Sequence, residues 1–495
     1  MVLELLILIP VIAGLAAIGI RSDATRRVLL VGTAAVHAMM VVAIWFIPPR
    51  SLLPNWVALD DLALIMISIT SGLFLMVSIY LVGYLARERP LVHHDFEEGV
   101  YFANQPEARF TVNVLFFLAT MCLVPLSRHF GLLWVGLEAS TLASAPLIYF
   151  HRQHRSLEAT WKYLLLCSVG IALALIGTFA LAAAAVLPAK AGAIPLFIDE
   201  LTKHASQLDP TWLKAAFLFL LVGYGTKAGL APLHNWLPDA HSEAPSAVSA
   251  LLSGAVLNCA MVGIIRSHQV LAAAGQEAFS GGLLVVFGLI SMGVAAVFIF
   301  GQSDYKRMLA YSSVEHMGIV ALGIGLGGVG VVGAMLHAMN HSFAKGLLFL
   351  TAGNILSTFH TRSTTEVRGI LRVLPSTGML WLIGGVAILG MPPFGLFNSE
   401  LTVLRAAVDA GRYWVAGLYL AFLAIIFIGM ITIILNMAQG SPPPGLKRGE
   451  NLRETSTMII PPALLAVLTF GLGLYVPTQL GEMLRSIARL LGAQS

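Results

Sequence analysis

An all-α, polytopic membrane protein is what this chain predicts, and three observations lead there. Apolar residues make up 58% of the 495 residues and charged ones only 11%, about half the charged fraction of an ordinary soluble domain. Apolar stretches of about 20 residues, the length a bilayer needs, follow one another with short polar breaks. The largest hydrophilic stretches, Ala86–Arg109, Pro188–Asp209 and Ser441–Thr457, are too short to bury a core of their own. The net charge of +4 gives no reason to expect a nucleic-acid partner.

About fourteen spans follow from that spacing. Their centres fall near Leu6, Met39, Leu73, Phe117, Leu142, Ala172, Gly223, Ala255, Val286, Val320, Leu347, Gly385, Ile425 and Leu468. The first reads as part of the fold, since no small-residue cleavage site follows it. Two spans must be interrupted. Lys227–Trp236 carries Gly229 and Pro232, and Gly390–Glu400 carries Gly390, Pro392 and Pro393. Each break sits beside an ionisable residue, in spans seven and twelve. Broken helices in matching positions predict two inverted repeats, spans four to eight and nine to thirteen. The expected organisation is one membrane domain: N-terminal helices over 1–110, a first repeat over 111–268, a second over 279–438, and a C-terminal helix over 458–495.

Positive charge gathers in odd-numbered loops. Arg21, Arg26 and Arg27 follow span one, and Arg87, Arg89 and Arg109 follow span three. Arg152 and Arg155 follow span five, Lys306 and Arg307 precede span ten, and Arg362, Arg368 and Arg372 follow span eleven. Lys447, Arg448 and Arg453 follow span thirteen. Even loops hold fewer, such as Arg50, Arg128 and Arg266. The positive-inside rule puts odd loops in the cytoplasm and both termini in the periplasm.

The intramembrane charges are the functional candidates, because a charge at mid-bilayer costs about 2.5–3.5 kcal/mol even on lenient scales. Lys227 ends an apolar run beside Pro232. Glu138 lies in an apolar span with Ser140, Thr141 and Ser144 nearby. Glu138 reads either as a static partner of a lysine or as a protonatable site. Both readings need a cation close by, and Lys227 is the first choice. Lys162 is either a snorkelling interfacial lysine between the belt residues Trp161 and Tyr163 or a functional charge.

His337, His341 and Lys345 are four residues apart and share a helix face. Such a stripe suits a proton relay, since neutral imidazole accepts on one nitrogen and donates from the other. A metal is not expected, as no carboxylate shares the stripe. Glu315 and His316 are adjacent and point in different directions. One is expected to face the relay and the other a neighbouring helix. Glu400 reads as an ion-pathway residue or as a polar cap at the break. His234, Asp239, His241 and Glu243 read as a solvated cytoplasmic loop with Pro238 and Pro245, with proton access as the alternative. Cys122, Cys167 and Cys259 are far apart in sequence and read as packing residues. No cofactor motif is present.

The run Lys227-Ala-Gly-Leu-Ala-Pro-Leu-His-Asn-Trp-Leu-Pro-Asp-Ala-His-Ser-Glu-Ala-Pro245, the run Lys306-Arg-Met-Leu-Ala-Tyr-Ser-Ser-Val-Glu-His-Met-Gly318 and the stretch His337–Leu350 together resemble the antiporter-like subunit family. Its members are proton-pumping membrane subunits of complex I, large subunits of Mrp-type sodium/proton antiporters, and membrane subunits of energy-converting hydrogenases. The resemblance covers nearly the whole chain. It implies that Glu138, Lys162, Lys227, His337, His341, Lys345 and Glu400 handle protons without bond chemistry, and Glu315 and His316 are added from their position. Two departures stand out. The usual relay position of helix eight reads Ser253 or Asn258, so a neutral bridge would join the halves. Glu315 is a charge where many relatives carry a small polar residue. The chain is also expected to lack the long lateral helix of the distal complex I subunit.

Trp134–Arg155 and the run from Ser156 look most similar to the F subunit of hydrogenase-4 and formate hydrogenlyase-type complexes. That resemblance implies a proton-translocating subunit in a prokaryotic inner membrane, surrounded by lipid. Its expected partners are other membrane subunits and a soluble arm resembling nickel–iron hydrogenases and iron–sulfur proteins. Alternatives are a Na+/H+ antiporter subunit, a complex I subunit, an ion-driven bicarbonate-uptake module, and a non-pumping scaffold.

Overall fold

The computed structural model describes residues 1–49, 51–88, 92–94, 99, 101–186, 194–443 and 454–492. Arg50, Arg89, Lys447, Arg448 and Arg453, part of the orientation signal, lie outside the described residues.

The helices run in order as α1 (Val2–Gly19), α2 (Asp23–Phe46), α3 (Asp61–Arg87), α4 (Glu107–Leu126), α5 (Phe130–Ile148), α6 (His154–Ala184), α7 (Ile198–Lys203), α8 (Pro210–Ala228), α9 (Trp236–Glu243), α10 (Ser246–Leu251), α11 (Leu257–Ala273), α12 (Glu277–Ile299), α13 (Tyr305–Leu326), α14 (Val329–Phe359), α15 (Ile370–Val373), α16 (Pro375–Ile388), α17 (Gly395–Asp409), α18 (Tyr413–Ala438), α19 (Ser456–Leu474) and α20 (Thr478–Leu490). One small departure from all-α appears among the described residues: β1 (Val92–His94) pairs antiparallel with β2 (Tyr101–Ala103).

Eleven helical segments are long and apolar enough to cross a membrane, counting Ser246–Ala273 as one. The three remaining expected spans are the interrupted pairs α8/α9 and α16/α17, and α14, whose 31 residues include the stripe of His337, His341 and Lys345. The first break follows Gly229, which caps α8 in the left-handed region at φ 74°. The second contains Gly390 at φ 61°. Glycine adopts this geometry without a Cβ clash.

The inverted repeat shows in matching backbone hydrogen bonds. In the first half the Phe130 amide donates to the Leu196 carbonyl (3.1 Å) and the Ile198 amide to the Arg128 carbonyl (2.8 Å). In the second half the Tyr305 amide donates to the Arg362 carbonyl (3.2 Å) and the Thr364 amide to the Ser303 carbonyl (2.8 Å). Both sets pin the start of a helix to the loop that follows the next one. The capping residues, His129 and Asp304, also correspond. Each broken span opens on a proline, Pro210 or Pro375, at the position where a helix loses no hydrogen bond.

Loops of one parity share a face. On the odd face, Arg27 pairs with Glu107 at 2.7 Å and Arg362 with Glu243 at 2.6 Å. On the even face, Arg128 and Arg266 both pair with Asp60 at 2.7 Å. Glu4 accepts from Leu52 there, and α20 lays Leu480, Met483, Leu484 and Ile487 onto the core beside α3 and α14. Both ends of the described chain are therefore on the even face. At the centre, α14 packs against α13, α16, α17 and α19 and is buried along almost its whole length.

Candidate functional site

Among the described residues the first half buries one lysine. Lys227 lies in the last turn of α8, fully buried. Its Nζ donates to Thr141 Oγ1 (2.6 Å) and Tyr163 OH (2.8 Å), and Tyr163 OH contacts Ser144 Oγ at 2.6 Å. The break is re-satisfied locally: the Trp236 indole donates to the Thr226 carbonyl at 2.7 Å, and the Ala231 amide to Ser291 Oγ at 2.9 Å. The expected Glu138–Lys227 ion pair is not formed. Glu138 is half-buried and accepts from Ser168 Oγ at 3.1 Å, while its Oε2 has no protein partner. The physical reason is position: Thr141, three residues further along α5, takes the lysine instead.

Lys162 sits on the surface of α6, its side chain 46% exposed, paired with Glu158 (2.7 Å) and Asp239 (3.0 Å). Asp239 also pairs with Arg307 at 2.7 Å.

The second half holds a chain of groups. His316 on α13 fits between His337 and His341 of α14, with ring centroids 5.0 and 5.1 Å away. His316 Nδ1 lies 2.9 Å from His337 Nε2, and His337 Nδ1 lies 2.9 Å from Ser399 Oγ on α17. Lys345 donates to the Leu309 carbonyl and to Ser312 Oγ. All of these side chains are fully buried. Neither ring nitrogen of His341 has a protein partner.

His316 faces the relay and Glu315 the other way, as their adjacency requires. Glu315 and Glu400 line a cavity of about 270 Å³ against α18. Glu400 is buried within the helix after the break, so it is not a cap at the break. Ligand atoms of His316, His337 and Glu400 lie within 4.8 Å of one another. A carboxylate therefore does join the stripe, brought by the fold of α17, which removes the sequence ground for excluding a metal. Two imidazoles and a carboxylate are a donor set that borderline cations accept.

The region read as a solvated loop is helix α9. Pro238 falls in its first turn and Pro245 just past its end, both places a helix tolerates. His241 is fully buried, stacked on Phe349 at 4.9 Å, and Lys345 Nζ lies 6.0 Å from the same ring. Neither His241 nitrogen has a protein partner. The broken helix of the first half thus delivers an imidazole to the second half. The proline count hid this residue; its place three residues from Pro238 within a helix-length segment is the signal that could have found it. Lys306, also fully buried, donates to the Ser242 (2.9 Å) and Ala244 (2.6 Å) carbonyls, and so caps the end of α9.

Between the halves, span eight contains a π-turn over Leu252–Val256, a feature frequent at functional sites. Ser253 Oγ contacts Ser313 Oγ at 2.8 Å, and Asn258 Nδ2 donates to Ser342 Oγ at 2.8 Å. The two neutral residues expected at the bridge both reach the second half, Asn258 through the residue next to His341. The three thiols are all buried and free. Cys122 Sγ lies 3.3 Å from His37 Nε2, a contact between residues 85 apart that no local pattern signals.

Comparison with known proteins places this geometry. Residues 127–427 match the family described as NADH:quinone oxidoreductase/Mrp antiporter, TM. A hydrogenase-4 component F homolog from Methylacidiphilum infernorum (isolate V4) is 35% identical over 438 residues, covering 87% of this chain and 88% of that protein. Hydrogenase-4 component B of Escherichia coli (strain K12) is 29% identical over 456 residues, covering 87% of this chain but 64% of that protein. Among solved structures, a chain of an archaeal membrane-bound sulfane sulfur reductase superposes with a TM-score of 0.84 at 21% identity, over 99% of this chain and 98% of that one. This last likeness concerns the fold alone.

Proposed function

For a chain that belongs to the NADH:quinone oxidoreductase/Mrp antiporter transmembrane family, we propose the role of the proton-translocating, antiporter-like membrane subunit of a hydrogenase-4-type redox complex. The buried line Lys345, His341, His316, His337, Ser399 is the observation that carries this reading. Several ionisable groups aligned in an apolar interior are costly and persist where ions move. Nitrogen donors dominate the line. Imidazole and ammonium carry protons, whereas a hard cation such as sodium wants a shell of oxygens. Proton passage therefore fits better than sodium passage.

The proposed route starts at Lys227 and crosses the middle by Asn258, Ser342 and His241. It follows the line from Lys345 to His337 and leaves by Glu315 and Glu400. The odd face is cytoplasmic and the even face, with both ends of the chain, periplasmic, in a prokaryotic inner membrane. Other membrane subunits and a soluble, hydrogenase-like and iron–sulfur arm supply the redox energy, since the chain carries no redox motif.

The test is proton uptake into vesicles by the assembled complex, measured beside redox turnover. Lys345→Ala should lower pumping by about 100-fold or more with assembly retained. An assembled Lys345→Ala complex that pumps at the normal rate would overturn the relay. Sodium uptake in place of proton uptake would move the reading to a Na+/H+ antiporter subunit.

A further inference from the structure

The repeat does more than match helices; it matches partners. The paired hydrogen bonds of Phe130 and Tyr305 set the register of the two halves. α6 and α14 keep that register, each 31 residues long, beginning at His154 and Val329. In it, Lys162 is the counterpart of His337 and Thr141 the counterpart of His316. The second segments of the broken helices are aligned by their prolines. Asp239 follows Pro232 at the distance at which Glu400 follows Pro393. Two separate alignments, one along α6/α14 and one along α9/α17, thus map one side-chain pair onto the other.

Both pairs exist in space. Lys162 Nζ lies 3.0 Å from Asp239 Oδ2. His337 and Glu400 place ligand atoms within 4.8 Å of each other, together with His316. Thr141, the counterpart of His316, holds Lys227 at 2.6 Å. Because the repeats are inverted, the two pairs belong to opposite faces. α9 runs from its break to the odd face, and α17 runs from its break to the even face.

We propose that Lys162 and Asp239 form a proton port on the odd face, the counterpart of His337 and Glu400. This rests on the translocation reading above and adds the place where the first half takes up its proton. The step balances within the named groups. Once Lys227 has handed its own proton on along the route and stands as a neutral amine, the Lys162 ammonium passes one proton inward to it and becomes a neutral amine in turn. Asp239 keeps Arg307 at 2.7 Å as its cation, and Glu158, its side chain 55% exposed, is left to water. A proton from water at the odd face then restores the ammonium and its pairing with Asp239 and Glu158.

The bland alternative is an exposed salt bridge. Such a pair adds little to stability, so its loss would leave both assembly and pumping intact. The experiment is proton uptake by the assembled complex in vesicles for Asp239→Asn, Asp239→Glu and Lys162→Ala. Glu243→Gln is the control: Glu243 is paired with Arg362 on the same face, and its counterpart under the same alignment is the apolar Leu404. Expected is a loss of about tenfold or more for Asp239→Asn and Lys162→Ala, recovery in Asp239→Glu, and an unchanged rate for Glu243→Gln. Normal pumping by Asp239→Asn overturns the port, as does an equal loss in Glu243→Gln. Lys345→Ala is run alongside. If it stops pumping while Asp239→Asn does not, the port fails and the relay stands. If both pump normally, the relay itself fails.

Discussion

The two halves share one scaffold and carry different chemistry. The first half stabilises a single buried ammonium, Lys227, with neutral hydroxyls from Thr141 and Tyr163. Its carboxylate, Glu138, sits apart on a serine. The second half lines up an ammonium and three imidazoles within one stack. At equivalent depth the first half has Thr141 where the second has His316, and Lys162 where it has His337. One backbone plan thus holds either an isolated charge, suited to an on–off switch, or a conducting line. On the proposed reading, what a half does is set by side chains at a few repeat-related positions and not by the fold.

The sharpest way to break this comparison is to ask whether the halves work in series. Lys227→Ala removes the only ammonium among the described residues that Thr141 and Tyr163 hold. In series, Lys227→Ala and Lys345→Ala each reduce pumping by about 100-fold or more, and the double variant is no worse than either. Residues that act as a unit show this non-additivity. In parallel, each single variant retains about half of the pumping and only the double variant loses it. Initial rates of proton uptake for the three complexes decide between them.

A second contrast lies in how each half is tied to its face. On the even face Asp60 receives both Arg128 and Arg266 and caps α3. In the equivalent second-half loop the carboxylate, Asp304, accepts from a neutral hydroxyl, with Ser242 donating to it at 2.5 Å. Burial raises the Asp60 carboxyl pKa, but the Arg266 and Arg128 guanidiniums override it and hold it below the usual carboxylate range. Its folded pKa is depressed, so the stabilisation is complete above the unfolded value, near 3.9, and is lost as pH falls through the folded value. Asp60→Ala leaves Arg266, only 1% exposed, without its carboxylate. A destabilisation of about 3–5 kcal/mol is expected. Thermal unfolding of the purified complex should show the same deficit at pH 6 and pH 8, and a smaller one in strong acid. A deficit that vanishes between pH 6 and pH 8 would contradict the assignment to Asp60.

Much of this was legible in the sequence. The apolar spacing gave the spans, the two glycine–proline breaks gave the repeat, and the four-residue interval gave one face to His337, His341 and Lys345. Loop parity grouped the charges correctly, because the alternation of spans leaves no other choice. Three features were not legible, each for its own reason. Glu138 was assigned to Lys227 because charge seeks charge, but partner choice is set by which turn of α5 faces α8, and Thr141 faces it. His241 was hidden by two prolines that fall where a helix accepts them. The meeting of Glu400 with His316 and His337 needs the helix break at Gly390, and no local pattern encodes the distance it spans.

That break offers the smallest effect expected here and the finest test of the difference between halves. Gly229 and Gly390 both hold left-handed backbone at their breaks, at φ 74° and 61°. An alanine at either site carries a backbone cost of about 1–2 kcal/mol. The neighbours differ. A Cβ at Gly229 would meet Leu237 Cδ1 at 2.5 Å, the far end of a flexible apolar side chain. A Cβ at Gly390 would lie 2.0 Å from Glu400 Oε2 and 2.6 Å from its Cδ. The Glu400 carboxylate packs directly on that glycine and would have to move. Gly229→Ala and Gly390→Ala should therefore lose similar stability by thermal unfolding, while only Gly390→Ala lowers pumping beyond what its folded fraction explains. Equal pumping per folded complex in the two variants would show that the position of Glu400 against the break is not what the second half relies on.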